Sequence, residues 1–176
     1  MQREPVAPVD AAQAAMKVIA FLLSWLGAAL AHADSMQAVP VLPQYQQECA
    51  ACHTAYPLGM LPAASWKRVM GSLDKHYGTD ASLDAASARD ISAWLQAHAG
   101  TYKRVAEEPP QDRITRSPWF VRKHREVDPQ IWKQPTVKSA ANCTACHTAG
   151  DKGSFRESEI QFPKGLDARF RRGWPD

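Results

Sequence analysis

The chain has 176 residues, 45% of them apolar and 22% charged, with a formal net charge of +3. That length accommodates one globular domain or two small lobes and excludes a large multidomain enzyme. The apolar fraction and six tryptophans argue against wholesale disorder, and no apolar run reaches the 18 or so residues of a membrane span.

The first predicted element is a leader. Val18 to Leu30 is a 13-residue apolar run, preceded by Met16-Lys17 and followed by Ala31-His32-Ala33. A positive start, an apolar stretch of this length and an Ala-x-Ala site make a secretory signal peptide over residues 1–33. Residues 1–15 are unusual ahead of such a leader and point to a translation start at Met16. Cleavage after Ala33 would leave 143 residues exported to the periplasm, with no transmembrane anchor and without His32.

A helix is expected from Pro43, a good first-turn residue, through Cys49 to His53. Tyr56 to Pro62 reads as a loop. Trp66, Val69, Met70, Leu73, His76 and Tyr77 carry a helical spacing that predicts a helix from Ala63 to about Tyr77, ended by Gly78. Asp84 can cap a further helix through Ala99, with Ile91, Trp94, Leu95 and His98 on one face and Gly100 as its stop. Glu107 to Asp112 (EEPPQD) reads as a linker. Beyond it come Trp119, Phe120, His124, Ile131 and Trp132, then a helix capped by Ser139 that carries Cys143 to His147. After Phe155 the periodicity fades into an irregular wrap. No strand pair with a hairpin turn is visible. The predicted class is mostly α with long loops, in two small lobes over residues 34–108 and 109–176.

The halves differ in charge. Residues 34–110 carry six Lys/Arg and eight Asp/Glu, a net of −2, whereas residues 111–176 carry thirteen and eight, a net of +5. A near-balanced exported chain is a poor nucleic-acid binder. The local positive field on the second half could steer an acidic partner.

The four cysteines carry the chemistry. Cys49-Ala50-Ala51-Cys52-His53 and Cys143-Thr144-Ala145-Cys146-His147 are both C-x-x-C-H, the attachment signature of c-type haem. Thiols at i and i+3 can each form a thioether with a haem vinyl group, and the next residue's imidazole then points at the iron. Two copies consume every cysteine, so two covalent haem c groups are expected, with His53 and His147 as proximal ligands. A thioredoxin-like redox pair would need a βαβ pattern that is absent. A zinc site of Cys49, Cys52, Cys143 and Cys146 would leave both histidines unexplained.

The sixth ligand of each iron decides its use: methionine raises the potential, a second histidine generally gives a lower-potential low-spin couple, and an open site admits small ligands. Residues 107–176 contain no methionine, and their only histidines are His124 and His147. The second haem is therefore His147/His124, is open, or borrows a ligand from the first half. For the first haem the candidates are Met60, Met70, His76 and His98. Met60 lies too close to His53 to pass round the haem edge, Met70 sits on a core-like stripe, and His98 also suits a helix C-terminus. His76 ranks first, near the end of a helix that could lie across the haem.

The chain resembles the small periplasmic dihaem cytochromes c over roughly residues 41–165. The resemblance rests on CAACHTAYPLGMLPAASWKRVMGSLDKHYGTDASLD, SPWFVRKHRE and VKSAANCTACHTAGDKGSFRESEIQFP. It implies an electron-transfer protein with two cytochrome c-like haem lobes and two bis-histidine haems, His53 and His76 on one iron and His147 and His124 on the other. It further implies pairing with an oxygen-binding monohaem cytochrome or a membrane b-type cytochrome. It does not cover the first fifteen residues or the tail with Arg169, Arg171 and Arg172, which could pair haem propionates, meet a partner or lie in solvent. Two rivals need an open iron: a small peroxidase-like dihaem enzyme, and a ligand sensor or carrier.

Overall fold

Pro43 opens α1 (Pro43–Cys49), where its missing N–H costs nothing, and Tyr45 is the residue this helix buries. The computed structural model describes residues 40–172 and residue 174, all within one compact unit, Ala38–Asp176. The leader and the Met16 start lie outside the described residues. The helix expected to reach His53 stops at Cys49, and residues 50–52 are turns. A seven-residue helix is marginal by itself, and the run from Ala50 to His53 holds no large apolar side chain that would extend its buried face.

The second helix, α2 (Ala63–Met70), starts after Pro62 and stops at Met70, seven residues short of the expected Tyr77, with Gly71 as its C-cap. The Ser72 hydroxyl donates to the Arg68 carbonyl at 2.9 Å, a local bond that competes with helical propagation. A short 3-10 turn, Leu73–Lys75, follows, and the Ala81 amide closes back on the Leu73 carbonyl at 2.8 Å. His76 is thereby presented from a turn and not from a helical stripe.

The third helix, α3 (Ala85–Ala97), is capped by Asp84, whose side chain accepts from the Ala86 and Ser87 amides, both at 3.0 Å. Ser87, Ile91 and Leu95 are its buried residues, one helical turn apart. It ends two residues before the expected Ala99, with His98 at the C-cap. Helices α2 and α3 pack together, and Tyr45, Leu61, Trp66, Ile91 and Leu95 form the first core. Gly100 does more than stop a helix. Its amide donates to the Leu61 carbonyl at 2.9 Å, and a Cβ there would stand 2.7 Å from the Gly59 carbonyl oxygen and 2.7 Å from a Val105 methyl. Gly100→Ala should therefore cost about 1–3 kcal/mol, as overpacking does. A denaturation midpoint equal to wild type would contradict this close approach.

The segment read as a linker is tied to α2. Arg68 donates to Asp112 through Nε and Nη2 at 2.9 and 2.7 Å, and to Glu108 at 2.5 Å. The Tyr77 hydroxyl adds a bond to the Asp112 carbonyl at 2.9 Å. Arg68 holds the Asp112 carboxyl below the usual carboxylate range. The pair's contribution is thus present at neutral pH and fades as pH falls through that lowered value.

In the second half one α-helix went unanticipated. Ser117 accepts from the Phe120 amide at 3.1 Å and Pro118 occupies the first turn of α4 (Pro118–Lys123), which ends at His124. The helix expected from Ser139 is only a 3-10 turn, Cys143–Ala145. The Ser139 hydroxyl accepts from Ala141, two residues on. Asn142 reaches back to the Val137 carbonyl at 2.9 Å, so side chains take up backbone groups a helix would need. Ile131, Val137, Leu166 and Phe170 form the second core, with Phe162 and Trp174 packed against it. Part of the chain expected as an irregular wrap therefore supplies half of that core. Among the described residues there are no strands, only isolated bridges at His76–Thr79 and His147–Ile160. Among them, too, no helix is long and apolar enough to cross a membrane.

Candidate haem sites

Each C-x-x-C-H segment lies beside one further histidine. In the first, Cys49 closes α1 and is half-buried, while Cys52 and His53 are exposed. The His53 Nδ1–H donates to the Thr54 carbonyl at 2.7 Å. The turn after α2 brings His76 opposite it: the ring centres are 6.1 Å apart and the planes differ by 21°. Burial, then His53 and Arg113, hold the His76 imidazole below its ordinary pKa, which favours the neutral ring that serves as a metal ligand.

In the second site Cys143 opens the 3-10 turn and the His147 amide donates to its carbonyl at 2.8 Å. The Gln161 amide holds the Cys146 carbonyl at 2.9 Å. His124, at the C-cap of α4, donates Nδ1–H to the Phe120 carbonyl at 3.0 Å and stacks on the Phe120 ring at 3.9 Å. Its ring centre lies 6.2 Å from that of His147, with the planes at 74°. Burial lowers the pKa of both imidazoles. His147 also carries a buried Nδ1 with no hydrogen-bond partner among the described residues, an arrangement that a folded chain rarely leaves unmatched.

These residues fit a haem c at each site. A metal–imidazole bond is about 2 Å long, with about 1 Å more from nitrogen to ring centre, so two imidazoles facing each other across one metal stand about 6 Å apart. Both pairs have that separation. In His53 and His124 the Nδ1–H is already engaged by a backbone carbonyl, which leaves Nε2 for a metal, as ligating histidines usually arrange it. All four cysteines are free thiols. Burial pushes Cys49, Cys143 and Cys146 up to about 11. Among the described residues no three His, Cys, Asp or Glu side chains converge on a common point.

The other ligand candidates sit elsewhere. Met60 is buried, and Met70 packs against the first core. His98 is exposed and directs Nδ1 to the Trp94 carbonyl at 2.8 Å. The tail arginines lie against aromatic rings, Arg171 over Phe162 at 4.1 Å and Arg169 over Phe170 at 4.6 Å. Several aromatic neighbours escaped the sequence reading. Tyr56 stacks on His53 at 4.9 Å, Tyr77 meets His76 edge-on at 4.9 Å, and Phe155 lies 5.4 Å from His147. Only Phe120, one helical turn before His124, left a usable signal.

Known proteins give a consistent picture. The sequence model of the family described as "Dihaem cytochrome c" matches residues 45–155. The chain is similar to the crystal structure of DHC purified from Rhodobacter sphaeroides. Identity is 43% and the TM-score 0.58, over 66% of this chain and 99% of that one. It is also similar to the diheme cytochrome type c of Shewanella baltica OS155. There the identity is 34% and the TM-score 0.59, over 68% of this chain and 94% of that one. No curated protein matches. With two C-x-x-C-H segments, two facing histidine pairs and this likeness over most of its described length, the chain belongs to the dihaem cytochrome c family and carries two haem c groups.

Proposed function

We propose that this cytochrome is a periplasmic carrier of single electrons with two bis-histidine haems, and not an enzyme. Electron transfer is the general role of its family. Cys49 and Cys52 hold one haem by thioethers, with His53 and His76 on its iron; Cys143 and Cys146 hold the other, with His147 and His124. The observation that carries this reading is the pair of imidazole separations, 6.1 and 6.2 Å, which leave space for one metal ion between each pair of rings. The described residues up to 108 would form one haem lobe and those from 109 on the other.

Bound haem supplies a reversible one-electron couple. The chain's part would be to offer each metal two imidazoles, His53 with His76 and His147 with His124, which would leave no position open to a substrate. Backbone carbonyls of Thr54 and Phe120 fix two of the four imidazoles. Phe120, Trp132 and Phe155 wall the second pair. The positive second half is where an acidic redox partner would dock. An oxygen-binding monohaem cytochrome or a membrane b-type cytochrome is the proposed partner class.

The rival, a peroxidase-like enzyme or ligand sensor, requires an open iron. Adding carbon monoxide to the fully reduced protein separates the two readings. The expected spectrum is unchanged at both haems, with no peroxide turnover. A carbon monoxide adduct forming within seconds at either haem would contradict the carrier reading.

A further inference from the structure

One side chain links the two attachment segments. The Tyr56 ring stacks on His53, centres 4.9 Å apart and planes at 26°, and its hydroxyl donates to the Ala141 carbonyl at 2.8 Å, 85 residues along the chain. Ala141 lies two residues before Cys143. The Tyr56 carbonyl in turn accepts from the Tyr45 hydroxyl at 2.8 Å, and Tyr45 belongs to the first core. A continuous line of contacts thus runs from that core through Tyr56 to the second attachment turn. Neither end of the line is explained by haem attachment or axial ligation.

We infer that Tyr56 is a positioning residue for electron exchange between the two haems, fixing the second attachment turn against the ring of His53. The inference rests on the proposed ligation. In the exchange one iron gives up the electron that the other accepts; the phenol keeps its proton and is neither oxidised nor reduced. Its hydroxyl holds the spacing, and its ring provides packed matter where solvent would otherwise lie.

The test uses the full dihaem protein, half-reduced by a radiolytic or photochemical pulse, with exchange followed optically. Tyr56→Phe keeps the ring on His53 and removes the bond to Ala141. It should slow exchange several-fold, because the second attachment turn is no longer held at a fixed distance from the first, with both haem spectra and both midpoint potentials unchanged. Tyr56→Leu should slow exchange at least as much and also perturb the spectrum of the haem held by His53. A wild-type rate in Tyr56→Phe overturns the inference. So does a slowing fully accounted for by a changed potential gap, or loss of both haem spectra, which would make Tyr56 merely a structural strut. A high-spin haem in the wild type would contradict the proposed ligation while leaving the ratio of variant to wild-type rates readable.

Discussion

Replacing His124 by alanine should convert one haem to high spin and leave the other low-spin, removing about half of the low-spin absorption. The reason is arithmetic as much as geometry. Residues 107–176 contain no methionine and no histidine besides His124 and His147, so no second imidazole or thioether in that half can take the vacated position. The stacking of His124 on Phe120 and its Nδ1 bond to the Phe120 carbonyl place the ring firmly, and alanine leaves a pocket beside the metal. The variant's reduced form should then take up carbon monoxide at one haem only. An unchanged absorption spectrum would show that His124 ligates nothing. The first haem should be indifferent, because its facing pair is drawn from His53 and His76.

The second large effect concerns attachment. Cys143→Ala combined with Cys146→Ala should leave one covalently bound haem per chain, measured as the mass of the denatured protein. It should also destabilise the second half far more than the first. Among the described residues the second core holds four buried apolar side chains, Ile131, Val137, Leu166 and Phe170, on a chain built largely of 3-10 turns and loops. Where a bound group organises so sparse a core, its binding free energy is in large part folding free energy. Hydrogen exchange should therefore show amides such as Val137 and Ile131 losing protection while Ile91 and Leu95 keep theirs. Equal protection of both cores in the double variant would contradict this dependence.

Some of this structure is legible from local chemistry. The Asp84 cap and the Ile91 and Leu95 positions of α3 are read directly from the sequence, because cap and apolar spacing point to the same helix. Trp94, by contrast, is only half-buried, His98 is exposed and Ser87 completes the buried stripe. The C-x-x-C-H segments are equally legible, since their chemistry is fixed by five adjacent residues. His76 shows the opposite situation. Its helical spacing from Val69 and Leu73 suggested an extended α2, yet the helix stops at Met70 and a hydrogen-bonded turn carries His76 to His53. The Ser139 helix failed for a related reason: Ser139 and Asn142 spend their side chains on local turns. The start of α4 is marked locally by a Ser117 cap followed by Pro118 in the first turn. Tyr56 and the tail contributions of Leu166 and Phe170 depend on contacts between distant segments, which no local pattern encodes.

The two histidine pairs differ in the angle between their rings. Near-parallel imidazoles, at 21° for His53 and His76, separate the two iron orbitals that interact with the rings, whereas near-perpendicular ones, at 74° for His124 and His147, leave them almost equal in energy. Low-temperature electron paramagnetic resonance of the fully oxidised protein reads this directly. The expected spectrum has two low-spin signals of equal weight, one rhombic and one strongly anisotropic, and no high-spin component. A stable high-spin signal from the native protein would contradict bis-histidine ligation, and with it the reading of this cytochrome as a pure electron carrier.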